Sequence, residues 1–472
     1  MIGVAIAAPL LGALIALAFR VRAQRQAVRI ALAVAAALLP VTLAGSVDAL
    51  SLLFAALVSI LGLLATVFSA GAESLDWGSG EAVWSRKPVY FVLLGAFWSA
   101  MLVVVLADNF ALLWLGISAT TLATAFLVGF SGEAAALEAA WKYLVLCSVG
   151  IALALLGIVV LGHVTMAEGL SPLQALSWTS IAAHAPATAL PLARLATALM
   201  AIGFATKAGL VPMHAWLPDA HSKAPAPISG LLSGVLVSCA LYAIVRTLSV
   251  AAVLGAGPVI HTLLLVLGSL STVVAGTLML SQRDLKRLLA YSTVEHAGIV
   301  ALALGFGGPI GLFAALFHIV AHAFAKSAAF FAAGMVQRER RTTELGALHG
   351  LISTGAGGRF LLGAMTALCG MPPFGLFISE LLLVAAGVAS RQWIPLGFGL
   401  LGIALGFIAL SRAAIEIEGG RAKAAPQRPA TSRLSAIAAG LALAGALLAI
   451  AVPWTPLGTV LHATSSRIEG AP

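Results

Sequence analysis

The sequence predicts an all-α polytopic membrane protein with about 14 transmembrane helices, two inverted five-helix repeats and two broken helices. Of its 472 residues, 61% are hydrophobic and only 9% are charged. A soluble domain carries roughly a quarter charged residues, so this composition indicates an integral membrane protein. Apolar runs of about 20 residues recur along nearly the whole chain, which favours transmembrane helices over a β-barrel.

Charge and cysteine usage exclude several other classes of protein. The net charge of +9 lies in short loops rather than on a basic domain, so no nucleic-acid partner is expected. Cys147, Cys239 and Cys369 fall in apolar segments and form no CxxC pair, which argues against a disulfide framework or iron–sulfur ligation. The apolar run that starts at Met1 has no basic region before it, so it predicts a retained helix rather than a signal peptide.

The helices divide the chain into four regions. Helices one to three lie in residues 1–88, helices four to eight in 89–248, helices nine to thirteen in 249–412, and a loop with helix fourteen in 413–472. The predicted helices lie at about 2–19, 30–46, 50–70, 89–106, 110–130, 139–162, 192–206, 228–248, 258–280, 288–305, 309–336, 355–388, 393–411 and 434–452.

Loop charge predicts the orientation of these helices. The loops after the odd-numbered helices hold about 20 of the 26 Lys and Arg residues, an asymmetry that follows the positive-inside rule. These loops, which include the basic stretch Arg20 to Arg29, are therefore expected on the cytoplasmic side. Both termini are expected on the outer side of a bacterial-type inner membrane. The segment 163–191 is expected to be a long loop of mixed polarity.

Helix seven is predicted to break in the stretch Lys207 to Pro227, which holds Pro212, Pro218, Pro225 and Pro227. A proline-rich segment at membrane depth is tolerated only where it is buried in protein or lines a cavity. A lysine inside the membrane is costly, about 2.5–3.5 kcal/mol on insertion scales, and so marks a functional site by default. The alternative for Lys207 is a lysine at a helix end whose ammonium reaches the interface.

Helix twelve is predicted to break at Pro372 and Pro373, with Glu380 just after the break. The two breaks are five helices apart, an odd number, so the two five-helix units run in opposite senses. Two interrupted helices in corresponding positions are typical of inverted-repeat transporters. Glu380 is expected to serve either as a proton site or as the partner of a buried cation.

Helix eleven carries His318, His322 and Lys326 at successive turns, which places three titratable groups on one helix face. Histidine exchanges protons near neutral pH, so the row suits a proton relay. Two alternatives remain, a metal site and polar residues that join helices by hydrogen bonds. Glu295 and His296, one turn into helix ten, are further candidates or interfacial polar residues, and Glu295 is the one assigned to the proton path.

Other polar residues allow both functional and structural interpretations. His214, Asp219 and His221 belong to the break itself, where Asp219 is expected either to cap a half-helix or to be part of a structural loop. Arg246 ends helix eight and is expected to be an interface anchor. The segment with Arg283, Asp284 and Lys286 is expected to be a solvated loop.

Four linked motifs carry a family resemblance. ATKAGLVPMHAWLPDAHSKAPAP, SQRDLKRLLAYSTVEHAG, FHIVAHAFAKSAAFFAAG and GMPPFGLFISE resemble the antiporter-like membrane subunits of respiratory complex I and its relatives. Within this superfamily NFALLWLGISATTLATAFLVGF, ALEAAWKYLVLCSVGIALALLG and YSTVEH look most like component F of hydrogenase-4, the formate-hydrogenlyase type of membrane-bound [NiFe] hydrogenase. The resemblance spans helices four to thirteen.

The resemblance implies about 14 helices with two inverted five-helix units and a subunit that holds no redox centre, cofactor or metal of its own. Its partners would be other membrane subunits and a peripheral redox arm. By position, Lys207 matches the family's lysine of helix seven, His322 and Lys326 match its path in helix eleven, and Glu380 matches its charged residue of helix twelve.

Three positions depart from the family pattern. Ser118 stands where the family has a glutamate in helix five, which is expected to pair with the lysine at 207. Ser238 stands at the helix-eight position that often holds Lys or Asn, and Lys223 replaces an acid. Loss of the glutamate removes the opposite charge from Lys207. Glu138, at the start of helix six, is a candidate replacement.

Three functions are compatible with these residues. The first is a proton- or Na⁺-translocating, non-redox membrane subunit of a hydrogenase-4-like or NADH:quinone-oxidoreductase-like complex. The second is a structural or coupling subunit that no longer pumps, for example in inorganic-carbon uptake, motivated by Ser118 and Ser238. The third is a subunit of a cation/proton antiporter.

Overall fold

The computed structural model describes residues 1–19, 21–73, 87–184, 190–351, 355–419, 432–454 and 458. Nearly all of these residues lie in α-helices that pack side by side. The helices are α1 (Ile2–Ala16), α2 (Arg22–Leu38), α3 (Ala49–Glu73), α4 (Lys87–Leu106), α5 (Phe110–Val128), α6 (Ala134–Ala167), α7 (Trp178–His184), α8 (Leu190–Ala208), α9 (Trp216–Lys223), α10 (Ala226–Val253, with a π-helical turn at Leu232–Leu236), α11 (Gly257–Leu280), α12 (Leu285–Phe306), α13 (Gly308–Arg340), α14 (Ala356–Leu368), α15 (Gly375–Ala389), α16 (Trp393–Glu418) and α17 (Arg433–Leu448).

In the described part of the chain, 11 helical segments are long and apolar enough to cross a membrane. The helices α1 and α15 are apolar but shorter. The chain is therefore a polytopic all-α protein, as predicted. The number of 14 transmembrane helices stays a prediction, since the broken helices and α1 fall outside the set of 11.

Two expected loops contain helix. The basic stretch Arg20 to Arg29 was expected to be a loop, but α2 already begins at Arg22. The Arg29 side chain is buried, with its Cζ atom 3.4 Å from the ring centroid of Phe91. The expected loop 163–191 begins inside α6 and also contains α7. Stacking on the Phe91 ring lets the Arg29 guanidinium lie inside the bundle.

The helix that carries Lys207 is interrupted at the predicted place. The first half, α8, ends at Ala208, and Gly209 follows with φ 75°, a left-handed conformation that favours glycine. The Val211–Pro212 peptide is cis, and the chain resumes as the short helix α9. The backbone thus turns within the bundle beside the lysine.

The second predicted break lies between α14 and α15. The first half ends at Leu368, Gly370 has φ 62°, and the Pro372–Pro373 peptide is cis. The second half begins at Gly375 and carries Glu380 in its second turn. Both half-helix pairs therefore place an ionisable side chain close to an interruption.

Small residues bring α6 and α8 into close contact. A Cβ atom on Gly203 of α8 would overlap the backbone nitrogen of Ala154, and one on Gly150 would overlap the Thr206 side chain. Close approach of helices at glycine is typical of membrane bundles. As a result, the last turn of α8 lies directly against α6, which sets the surroundings of Lys207.

Loops that follow odd-numbered predicted helices contact one another at one end of the bundle. Asp219 pairs with Arg287 at 3.0 Å and with Lys142 at 3.6 Å, which joins α9 to α12 and α6. Arg412 donates to the carbonyl oxygen of Leu280 at 2.9 Å. These contacts hold the ends of several helices in one polar surface, here called the Asp219 face.

Candidate functional site: a row of buried ionisable groups

Lys207 lies in the last turn of α8 and is 1% exposed. Its Nζ atom donates to Thr121 Oγ1 at 2.8 Å and to the Tyr143 hydroxyl at 2.5 Å. The Tyr143 hydroxyl also shares a hydrogen bond with Thr124 Oγ1 at 2.6 Å. Nζ lies 4.6 Å from the Tyr143 ring centroid and 5.8 Å from that of Trp216. In the described residues no carboxylate pairs with this lysine, so its partners are hydroxyls and aromatic faces.

Neither Ser118, at the position of the expected acid, nor Glu138, the candidate replacement, bonds to Lys207. Ser118 is half-buried, and its hydroxyl donates to the Trp114 carbonyl oxygen at 2.9 Å. The residue of α5 that contacts Lys207 is Thr121, one helical turn later. Glu138 pairs with Lys142 at 2.6 Å and is 64% exposed, so its proposed pairing with Lys207 is wrong. A carboxylate at the surface keeps its hydration, which the buried site does not offer.

The break places His221 inward and Asp219 outward. His221 is fully buried between aromatic rings, 6.1 Å from Trp216 and 5.7 Å from Phe330 between centroids. Asp219 lies in the first turn of α9, whose N-cap is Ala215, so Asp219 is not a cap. It holds α9 through its ion pairs at the Asp219 face. Two further residues of the break lie nearer the surface: Pro212 is exposed and His214 is half-buried.

Lys326 is the second lysine among the ionisable residues of this site, here called the row (Lys207, Lys326, His322, His318, His296, Glu295 and Glu380). It is 0% exposed. Its Nζ atom donates to the Leu289 carbonyl oxygen at 2.9 Å and to Ser292 Oγ at 2.7 Å. Glu295 lies within its electrostatic range. Lys326, like Lys207, is therefore hydrogen-bonded to neutral groups on the neighbouring helix.

Three histidines form one cluster beside Lys326. His318 Nδ1 lies 2.9 Å from Ser379 Oγ, and His318 Nε2 lies 3.0 Å from His296 Nδ1. The ring centroids of His296 and His322 are 4.9 Å apart, closer than the 6.1 Å between His318 and His322. His296 of α12 thus lies between the two histidines of α13. The alternative that His296 is an interfacial polar residue is wrong, because its side chain is 1% exposed.

The hydrogen bonds favour one set of tautomers in this cluster. The Ser379 hydroxyl donates to the Leu376 carbonyl oxygen at 2.7 Å, so it accepts from His318 Nδ1. His318 Nε2 then accepts from His296 Nδ1. His322 Nε2 is buried without a partner in the described residues. Within the described part of the chain, no group of three or more His, Cys, Asp or Glu side chains is arranged to hold a metal ion.

Glu295 and Glu380 each occupy a space that a glycine provides. A Cβ atom on Gly406 of α16 would overlap Glu295 Oε1, and one on Gly370 would overlap Glu380 Oε2. Glu295 lies within electrostatic range of Glu380 as well as of Lys326. Glu295 is buried and Glu380 is half-buried. The second break therefore places Glu380 near Glu295 of α12, and each acid is adjacent in sequence to a member of the histidine cluster or its partner, His296 and Ser379.

A sequence profile of the family described as NADH:quinone oxidoreductase/Mrp antiporter, TM matches residues 107–406, which contain every element of this row. The chain belongs to this family. A "Hydrogenase-4 component F homolog" of Methylacidiphilum infernorum (isolate V4) is 36% identical over 392 residues, which is 81% of this chain and 81% of the relative. The resemblance predicted from the motifs is confirmed, and the chain is a multi-pass antiporter-like membrane subunit.

Two solved structures share the fold of this antiporter-like subunit. One chain of the Mrp complex from Dietzia sp. DQ12-45-1b superposes with a TM-score of 0.83 at 20% identity, covering 100% of this chain and 97% of the other. One chain of the membrane-bound sulfane sulfur reductase, an archaeal respiratory membrane complex, gives 0.82 at 22%, covering 99% and 97%. At these identities the likeness shows the fold alone.

The antiporter-like subunit contains a third buried lysine that was expected to be solvated. Lys286 is 2% exposed, and its Nζ atom donates to the Ala224 carbonyl oxygen at 2.6 Å. Asp284 caps α12 by accepting from Arg287 N at 2.9 Å. The Lys286 side chain, two residues later, points into the bundle. The expectation failed because α9 packs over the first turn of α12.

Arg246 is also buried rather than an interface anchor. Its Nη2 atom donates to Asp48 Oδ1 at 2.6 Å and to Ser51 Oγ at 2.9 Å, and Nε donates to the Tyr242 hydroxyl at 3.0 Å. Burial alone would raise the pKa of the Asp48 carboxyl, but the Arg246 charge and the hydrogen bonds from Arg246 and Ser51 together lower that pKa below its usual value. This network joins α10 to the start of α3.

The other two departures from the family pattern are structurally simple. The Ser238 hydroxyl is buried and donates to the Gly234 carbonyl oxygen of its own helix at 2.7 Å. Lys223 is exposed at the end of α9. Neither side chain takes the place of a buried ionisable group in the row.

Proposed function

We propose that this chain is the proton- or Na⁺-translocating membrane subunit of a hydrogenase-4/formate-hydrogenlyase-like or NADH:quinone-oxidoreductase-like complex. The observation that carries the proposal is the presence of two buried lysines, Lys207 and Lys326, that bond only to neutral groups. A buried ammonium without a carboxylate partner gains or loses its proton at a modest cost, which is the property of a transport site.

The path runs along the row of ionisable residues. Lys207 is the central switch, Lys326 with His322 and His318 is the relay, and Glu380 is the outlet, with Glu295 beside it. The support is that Lys207 and Glu380 lie beside the two breaks, whereas His318, His322 and Lys326 of α13 contact His296, Leu289 and Ser292 of α12. Redox energy from a peripheral arm would drive the changes in charge along this row.

The proposed topology contains 14 transmembrane helices, with both termini on the outer side of the inner membrane. Residues 89–248 and 249–412 form the two inverted units, each with one broken helix. The breaks after Ala208 and Leu368, together with the contacts between odd-numbered loops at the Asp219 face, support this arrangement. The partners are other membrane subunits and a peripheral redox arm.

A second candidate is a structural or coupling subunit that does not pump, including one for inorganic-carbon uptake. Its support is the missing carboxylate at Lys207, since Ser118 bonds only to its own helix. A third candidate, a cation/proton antiporter subunit, rests on the family description, which includes Mrp antiporters.

The test begins with a tagged chain purified from its native membrane with the subunits that bind it. The complex is reconstituted in proteoliposomes, and internal pH is followed during redox turnover and, separately, after a Na⁺ or K⁺ gradient is imposed. We expect Lys207→Ala and Lys326→Ala to reduce the proton flux about 100-fold, with Lys223→Ala as the control for loss of an exposed lysine.

Each outcome selects among the candidates. Proton flux during redox turnover supports the pump if both lysine variants abolish it. Flux that only a cation gradient drives favours the antiporter, and absence of flux in the wild type favours the structural subunit. Unchanged flux in both lysine variants would contradict the proposed path.

A further inference from the structure

The two ring nitrogens of His221 have different surroundings. Nδ1 lies 2.8 Å from the Leu217 carbonyl oxygen, and a carbonyl only accepts hydrogen bonds. Nδ1 therefore carries the proton of the neutral ring, and Nε2 carries the lone pair. Nε2 is buried and has no hydrogen-bond partner among the described residues. Most buried polar atoms are bonded, so an unpaired acceptor here requires an explanation.

Two buried lysines lie near His221 on different helices. Lys326 lies one turn before Phe330, whose ring contacts the His221 ring, and Lys286 bonds to Ala224 three residues after His221. Both ammonium groups lie within electrostatic range of the imidazole. They differ in depth. Lys326 is in the centre of α13, whereas Lys286 precedes Arg287, which is 41% exposed.

The backbone around His221 is held in place from several sides. The Ser229 hydroxyl donates to the His221 carbonyl oxygen at 2.7 Å. The Asp219–Arg287 pair and the Lys286–Ala224 bond attach both ends of α9 to the first turn of α12. An imidazole fixed in this way can exchange a proton without a movement of the helix.

We infer that Lys286 and His221 form a proton-uptake branch that leads from the Asp219 face to Lys326. This branch rests on the proposed transport function and adds an inlet to it. Lys286 Nζ gives up a proton through a water molecule to His221 Nε2, which leaves Lys286 neutral and His221 an imidazolium. Nε2 then passes the proton to neutral Lys326 through water, and Nδ1 stays bonded to Leu217 throughout.

A purely structural role for the same residues makes a different prediction. Lys286 would act as a cation at the C-terminal end of α9, and His221 would fill space between Trp216 and Phe330. In that case any residue that keeps the charge or the local hydrogen bond would serve. The two roles are separable because arginine keeps the charge but does not release its proton.

The experiment compares four variants of the reconstituted complex. His221→Asn keeps an amide nitrogen for the Leu217 carbonyl but removes Nε2, and Lys286→Arg keeps the cap charge. Lys286→Gln is smaller than arginine and keeps a donor for the Ala224 carbonyl oxygen, so it serves if arginine does not fit. Lys223→Gln, on an exposed neighbour, is the control. Proton flux is measured in proteoliposomes, with subunit composition and thermal unfolding as readouts of structure.

We expect His221→Asn and the Lys286 variants to lower proton flux about 100-fold while assembly and thermal unfolding stay as in the wild type. Flux within twofold of the wild type in assembled His221→Asn and Lys286→Arg would overturn the branch alone, provided that Lys326→Ala still abolishes flux. A wild type that moves no protons overturns the transport function and this branch together.

Discussion

The Nζ atom of Lys207 lies 2.5 Å from the hydroxyl oxygen of Tyr143, and both side chains are fully buried. The Thr124 hydroxyl donates to the Thr120 carbonyl oxygen at 2.6 Å, so the Tyr143 hydroxyl donates to Thr124 and accepts from Lys207. A neutral amine keeps two N–H donors, enough for Tyr143 and Thr121, so both bonds can persist in either protonation state. A carboxylate would stabilise only the charged form. The hydroxyl partner thus permits two protonation states at a site where the family carries an acid on α5.

Tyr143→Phe should weaken transport because it removes one of the two hydrogen bonds to Lys207. We expect a loss of about 1–3 kcal/mol in the stability of the purified complex and a fall in proton flux of about tenfold. The matched control is Tyr291→Phe, since Tyr291 is a half-buried tyrosine outside the surroundings of Lys207. Equal effects of the two substitutions would show that the Tyr143 hydroxyl has no special part.

Ser118→Glu should lower proton flux, because a carboxylate on α5 one turn before Thr121 would hold Lys207 in its charged form. Flux in proteoliposomes is the measurement, and Ser118→Gln, of the same size without charge, is the control. We expect glutamate to reduce flux about tenfold relative to the glutamine variant. If glutamate instead raises flux above the glutamine variant, the missing acid limits transport in this chain.

His296→Ala should interrupt the relay, because His296 lies between His318 and His322. Proton transfer through a positioned side chain contributes about 100-fold or more, so we expect a fall of that order in flux. His261→Ala provides the control, since His261 is a half-buried histidine that bonds to the Leu304 carbonyl oxygen outside the row. A flux that survives the loss of His296 would mean that His318 and His322 exchange protons by another route.

Asp48→Asn should lower thermal stability in a pH-dependent way. The pKa of Asp48 is lowered in the folded protein, so its contribution is present above the unfolded pKa and is lost as pH falls through the folded pKa. Because Asp48 is 43% exposed, we expect only about 1 kcal/mol at pH 7. The difference between variant and wild type should shrink below pH 4. A constant difference down to the acid limit would exclude the ion pair with Arg246 as its cause.

Local sequence signals predicted the strongest features of this molecule. Proline and glycine runs marked both helix breaks, and the apolar neighbours of Lys207 and Lys326 predicted their burial. The burial of Lys286 was not predicted, because the residue stands in a charged run beside Arg287. Only the packing of α9 over α12 buries it. His296 was visible in the sequence, but its position between two histidines of α13 depends on how α12 and α13 pack.

The glycines beside the two carboxyl groups constrain how this sequence can drift. Any side chain at position 406 would occupy the space of the Glu295 carboxyl, and any at position 370 would occupy that of Glu380. A lineage that kept the acids would keep both glycines or move the carboxyl groups out of these spaces, while a lineage that lost transport would be free to fill them. Paired substitution at 295 with 406, or at 380 with 370, would therefore serve as a sequence record of lost activity.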